Sequence, residues 1–469
     1  MQRSALLGVF LVGACATGEA WKPPTQRDSG DVPAVLRAGY GNAELHTWWP
    51  LTAPEAAALR GVEQARQGDA PALLALAIVA SGDQREPASH ATYQQRIDQF
   101  LATVKPTIDA ATDEWHRGYE LHRAMHRTFF AGERTELGGY DFDQARLTAI
   151  FASGHYNCLS SAVLYAVLAR AFALPVRAAF VPTHVFIEMG QPGGKIIEIE
   201  TTSATGFDWI HDQRFYKEEA ATWSGKRGLR PTTLDDYQHR QIVEPYRLMA
   251  QAMLNTHQGE SDQDRVRLDE LAGVVAPDDP EAQQARMRAY HNEGNDLYEA
   301  KAWRTMVMLF DTVRPAVTDI GAKSKDAKTL EMVSWANWYH AHALMIVGRQ
   351  DEAIALMADG IGRIDGAWPK AEMLRNNYLS VLINRLGELV VRKDFPTAAS
   401  TFSKYRALCA PHETCASNAS IVFANWSIEH QRAGDWQSAR KVLQDCVGEL
   451  PSDSRCKDAL SDLESRHRF

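Results

Sequence analysis

The sequence predicts an α+β domain with a helical lobe at its front, followed by an all-α array of stacked helix pairs. Three observations carry this. Apolar residues recur at helical spacing through most of the first 170 positions, a short β-rich stretch with alternating character occupies 176–200, and helical pairs dominate from residue 246 to the end. The boundaries read as 1–20 for a leader and the start of the mature chain, 21–245 for the lobe and the α+β core, and 246–469 for the helical array. With 469 residues and 45% hydrophobic content, the chain can bury large cores, and its length fits two or three domains. A formal charge of −9 with no basic stripe argues against a nucleic-acid partner. No run is long and apolar enough to span a membrane as a helix.

The N-terminus reads as an export signal. Arg3 gives a positive start, Ala5 to Gly13 a short apolar run, and Leu11-Val-Gly-Ala-Cys15 resembles the lipobox of bacterial lipoproteins. Cys15 would then carry the lipid, and Ala16 gives no inner-membrane retention signal, so the expectation is an outer-membrane lipoprotein or a periplasmic protein. An ordinary leader cut near Ala20 is the alternative. In either case the membrane is met only through an anchor.

Residues 50–67, 70–81, 93–104 and 112–130 are helical patterns bounded by Pro and Gly, and they form the lobe. On the last of them His122 and His126 share a face one turn apart, a spacing metal sites use. Arg123 stands where a zinc protease has its catalytic Glu, so a solvated or packed face is expected and no metal or other cofactor.

Gly154-His-Tyr-Asn-Cys158-Leu-Ser-Ser opens the next helix. Leu159, Ala162, Val163, Ala166, Val167 and Ala169 recur at helical spacing until Leu174-Pro175. A cysteine in the first turn meets unpaired N–H groups and the positive end of the helix dipole, which favour a reactive thiolate and can face an oxyanion. Residues 176–181 read as a buried strand. His184-Val-Phe-Ile-Glu-Met189 and Lys195-Ile-Ile-Glu-Ile-Glu200, separated by Gln191-Pro-Gly-Gly194, read as a β-hairpin. Pairing Met189 with Lys195 sets His184 opposite Glu200, roughly 5 Å between Cβ atoms. A slip of two residues would set Glu198 there instead. The expected roles are Cys158 as nucleophile, His184 as general base and then acid, and Glu200 as the group that orients the imidazole, with Asn157 and Thr183 as oxyanion or ring contacts.

The run Tyr156-Asn-Cys158-Leu-Ser-Ser-Ala-Val-Leu, the strand start His184-Val-Phe, and Glu200-Thr-Thr-Ser-Ala-Thr-Gly206-Phe207 resemble the bacterial transglutaminase-like superfamily, in the branch that often carries tetratricopeptide repeats. The resemblance implies a papain-like α+β core with a Cys-His-Asp/Glu triad, mapped to Cys158, His184 and Glu200. The acid here is glutamate where many relatives have aspartate. The chemistry implied is acyl transfer on amides or peptides, by hydrolysis or by cross-linking, on a protein or peptide substrate.

Beyond residue 246 the pattern of small residues, glycines and aromatics is that of tetratricopeptide units: Gly294 with Phe310 and Pro315, Gly348 with Ala353, Phe395 with Ala398 and Phe402, Gly434-Asp-Trp436 with Ala439. The alanines are 45 and 41 residues apart (398 − 353, 439 − 398), longer than the roughly 34 of the regular repeat. Such an array offers a face for a protein partner. Of the 6 cysteines, Cys409, Cys415, Cys446 and Cys456 fall into two short-range pairs, expected as disulfides of an oxidising compartment, with zinc as the rival. The sequence therefore points to a cysteine-dependent envelope enzyme. A non-catalytic scaffold that binds protein or peptidoglycan peptides is the alternative.

Overall fold

The computed structural model describes residues 44–82, 87–130, 139–209, 232–256, 262–368 and 370–467. Among them are nineteen helices and one four-stranded antiparallel sheet, an α+β composition in which helix predominates. The described residues divide into two compact units between Ala289 and Tyr290, inside a helix and downstream of the 246 at which the sequence pattern changes. Cys15 and the 1–20 leader lie outside the described residues.

In the first unit α1 (Ala53–Arg60), α2 (Val62–Arg66), α3 (Ala70–Ala80), α4 (Pro87–Asp109) and α5 (Glu114–Phe129) make the lobe. Three of the starts have a local cause: Thr52 and Glu55 form a capping box at α1, and the carboxylates of Asp69 and Asp113 cap α3 and α5. Helix α3 is apolar almost all round and is buried from Ala77 through Ala80, so it is the lobe's central helix. Two buried acids tie distant segments together: Glu270 accepts from the N–H groups of Trp48 (2.7 Å) and Trp49 (3.1 Å), and Glu55 pairs with Arg267.

Helix α6 (Leu147–Ser153) leads through the left-handed Gly154 to α7 (Cys158–Ala171), whose residues are buried from Cys158 through Ala169. Strands β1 (Val176–Val181), β2 (His184–Gly190) and β3 (Ile196–Ile199) follow, then α8 (Leu234–Gln238) and β4 (Gln241–Val243), in sheet order β3-β2-β1-β4. Alternation decides what each face does. Val176, Ala178, Val185, Ile187, Met189 and Ile197 face the core that α7 shares with the lobe. His184, Phe186, Glu188 and Glu198 fall on the other face, where Phe186 packs with Tyr237 and Ile242. The unit closes with α9 (Pro245–Asn255), α10 (Asp262–Val275) and the first half of α11 (Pro280–Glu299).

The second unit pairs the end of α11 with α12 (Trp303–Lys323), then α13 (Ala327–Ile346) with α14 (Gln350–Gly362), α15 (Ala371–Val391) with α16 (Phe395–Cys409), and α17 (Glu413–Arg432) with α18 (Trp436–Glu449), before a last helix α19 (Ser454–Arg466). The turn inside every pair carries one left-handed residue at the same place: Lys301, Gly348, Lys393 and Gly434. Ala353, Ala398 and Ala439 follow each of the last three at the same interval and are fully buried. Gly294 meets the Phe310 ring, as its sequence pairing anticipated; a Cβ there would lie 2.8 Å from that ring. Disulfides Cys409–Cys415 and Cys446–Cys456 each bridge the end of one pair to the next helix. Those cysteines are therefore not thiolates available to zinc.

Candidate active site

Cys158 is the first residue of α7, and Asn157 is its cap. The Asn157 side-chain oxygen accepts from the N–H groups of Leu159 (2.9 Å) and Ser160 (3.0 Å), Ser160 Oγ accepts from the Asn157 N–H, and the Asn157 amide donates to the Phe142 carbonyl (2.8 Å). Asn157, expected as an oxyanion or ring contact, has its side chain engaged in capping and in the Phe142 bond. Ser161 N–H bonds the Asn157 carbonyl. Among the described residues, the Cys158 N–H is the helix-start donor left over.

The hairpin register differs from the expectation. Glu188 pairs with Glu198 and Met189 with Ile197, two residues from the predicted pairing of Met189 with Lys195. The loop keeps its length but is shifted one residue along the chain: β2 continues through Gly190, which pairs with Ile196, Gly193 and Gly194 are both left-handed, and Gln191 N–H bonds the Lys195 carbonyl, so Lys195 belongs to the turn. A two-residue slip keeps every side chain on its face. Glu200 therefore still projects toward His184, now from a turn just past β3, and His184 Nε2 lies 2.6 Å from Glu200 Oε2. Glu198 is engaged elsewhere, by the Tyr237 hydroxyl and by Arg240 at 3.9 Å. Thr183 enters through its backbone: it is the left-handed residue (φ 69°) of the Pro182-Thr183 turn that joins β1 to β2 and launches His184.

With Nε2 engaged by Glu200, Nδ1 is the ring nitrogen left for Cys158, whose sulfur is near enough to help raise the imidazole pKa. The structure thus brings Cys158, His184 and Glu200 together in that order. Burial alone would lower the His184 pKa. The Glu200 charge and hydrogen bond, with the influence of Cys158, outweigh it and hold the imidazole well above the ordinary histidine value.

The Glu200 turn is tied down on several sides. Glu200 Oε1 accepts from the N–H and the hydroxyl of Thr202, Glu200 N–H donates to Gly206 (2.8 Å), and the Tyr156 hydroxyl donates to the Thr202 carbonyl (3.1 Å). Thr201 and Ser161 share a hydroxyl bond of 2.8 Å, which couples the turn to the helix that carries Cys158. None of these supports was read from the sequence, although Ser161, Thr201 and Gly206 all stand in its quoted motifs. Burial and the Glu200 charge push Tyr156 up to about 12.

His122 and His126 sit behind the same turn on a packed face. Among the described residues no group of three His, Cys, Asp or Glu is arranged to hold a metal ion. Further along β2, Arg240 Nε donates to the buried Glu188 (2.7 Å), and its guanidinium stacks on Tyr237 (4.4 Å from the ring centre).

Gly206 is where a side chain would do most harm. A Cβ there would press on the Glu200 carbonyl and lie 2.8 Å from Glu200 Cβ. Gly206→Ala is expected to cost about 1–3 kcal/mol by overpacking and to pull the carboxylate off His184. Thermal unfolding read beside Cys158 alkylation checks this, and a variant matching wild type in both would refute the close approach.

Compared with known proteins, the chain matches no family model, no curated protein and no solved structure.

Proposed function

We propose that the chain is a cysteine-dependent acyl-transfer enzyme of the transglutaminase-like kind, with a papain-like core in its first unit and tetratricopeptide-like repeats in its second. The observation that carries the reading is the His184 imidazole set between the Cys158 thiol and the Glu200 carboxylate at the start of a buried helix. His184 takes the Cys158 thiol proton on Nδ1 as the sulfur attacks an amide carbonyl and forms a carbon–sulfur bond, while the Cys158 N–H meets the oxyanion. His184 gives its Nδ1 proton to the departing amine as the carbon–nitrogen bond breaks, leaving a thioester. Water then adds to the thioester as His184 takes its proton, the carbon–sulfur bond breaks, and a carboxylic acid leaves.

Hydrolysis is favoured over cross-linking, because no second site for an acceptor amine is evident among the described residues. The repeats would recruit a protein or peptide, and the two disulfides fit an oxidising compartment such as a bacterial envelope, with Cys15 as a lipid anchor. One observation favours the non-catalytic reading: Cys158 is only 8% exposed, as a packed structural cysteine is.

The test is trapping. Full-length protein incubated with glutamine-containing and peptidoglycan-derived peptides in hydroxylamine is expected to release hydroxamates, and Cys158→Ala none. If wild type releases no hydroxamate and no hydrolysis product, and its Cys158 reacts no faster than a free thiol, the catalytic reading fails and binding remains.

A further inference from the structure

The aim of the Glu200 carboxylate needs a cause that the sheet does not supply. Strand β3 ends at Ile199, which pairs with Ile187. Carried on for three more positions, that pairing would set Thr202, and not Glu200, opposite His184. The chain turns instead: Glu200 N–H donates to the Gly206 carbonyl (2.8 Å), and Gly206 N–H to the Ser203 carbonyl (2.9 Å). Side-chain preference does not aim the carboxylate either, because the last torsion of a glutamate is broad. A glutamate also has one more rotatable bond to hold still than an aspartate, and each such bond costs entropy to fix.

The two residues after Glu200 supply the hold. Thr202 donates to Glu200 Oε1 from its N–H (3.1 Å) and from its hydroxyl, while Oε2 is the oxygen 2.6 Å from His184 Nε2. Thr201 is fully buried and shares a 2.8 Å hydroxyl bond with the fully buried Ser161, whose hydroxyl donates in turn to the Cys158 carbonyl (3.2 Å). A hydroxyl has one hydrogen, so Thr201 is the donor in that pair. Adjacent threonines thus tie the acid to the first turn of the helix that carries the nucleophile.

We propose that Thr202 is a positioning residue for Glu200: its two donors on Oε1 stop the carboxylate from turning, so that Oε2 stays on His184. This rests on the reading of Cys158, His184 and Glu200 as the reactive centre.

The experiment is a double-mutant cycle read by iodoacetamide alkylation of Cys158, in the full chain carrying Cys15→Ala. Thr202→Val keeps the shape and the N–H and removes the hydroxyl. It is expected to slow labelling about threefold at pH 6, the effect of losing one hydrogen bond, and to leave it unchanged above pH 9, where the thiol ionises without the imidazole. Thr202→Ser, which keeps the hydroxyl, is expected to recover most of the rate. In a Glu200→Gln background Thr202→Val is expected to cause no further loss, because it acts through Glu200. Should the valine variant fail to fold, Thr202→Ala repeats the comparison. A variant without the hydroxyl that labels like wild type at pH 6, or that loses as much above pH 9 or beside Glu200→Gln, overturns the proposal and leaves the triad standing. A Glu200→Gln chain that labels like wild type removes the triad reading, and the positioning role falls with it.

Discussion

Replacing His184 with alanine is expected to slow alkylation of Cys158 about tenfold at pH 6 and to leave it equal or faster above pH 9. Two opposed effects set the size. An ordinary thiol, with a pKa near 8.5, is only about 0.3% ionised at pH 6, so a cysteine paired with an imidazolium gains a few hundredfold in thiolate. A more acidic thiol is also a poorer nucleophile, with a Brønsted slope of about 0.4–0.5, which returns a factor of tens. The net is about tenfold at pH 6 and reverses once an unassisted thiol ionises by itself. The Glu200 carboxylate at 2.6 Å is what keeps the imidazolium charged that far up the pH scale, so Glu200→Gln should fall between wild type and His184→Ala. A rate–pH curve that is the same with and without His184 would sink the nucleophile assignment.

How much of this geometry the sequence could carry depends on the kind of signal. The start of α7 was legible because helical periodicity is a local property; that Asn157 caps it was not read, although an Asn before the first apolar residue is a local signal as well. The face shared by His184 and Glu200 was legible too, since alternation fixes faces. The register was not, because alternation is unchanged by a slip of two residues, and the turn at the left-handed Gly193 and Gly194 sits one residue further along the chain than the expected pairing placed it. Spacing on α5 could say only that His122 and His126 share a face. Solvent, a metal and a packed face all look alike at that distance. In the helical array, Gly348 and Gly434 gave away two turns, while Lys301 and Lys393 hold the same left-handed place in a residue type that hides it.

The same pair of histidines is expected to make the protein acid-labile in a way that can be counted in protons. Burial, then the mutual repulsion of the two rings, brings His122 down to about 3, against 6.5 for a free histidine. Between those values the unfolded chain binds a proton at this residue and the native chain does not. Stability is therefore full above about pH 6.5 and is lost as pH falls, by about 1.4 kcal/mol per unit for each such histidine, or about 2 kcal/mol from His122 alone by pH 5. His184 works in the opposite sense. Its native pKa is raised, so the stability it contributes is fully present below about pH 6.5 and disappears as pH rises through the native value. Between pH 5 and 6 the His184 contribution is flat and the His122 contribution is steep. Around His122 stand His126 on its own helix, brought down to about 4, and Tyr165 of α7, pushed up far beyond this range. Urea unfolding of wild type and His122→Gln at intervals from pH 5 to 6 measures the difference, and the variant's slope is expected to be shallower by nearly one proton. Parallel slopes would mean that His122 is protonated in the native protein.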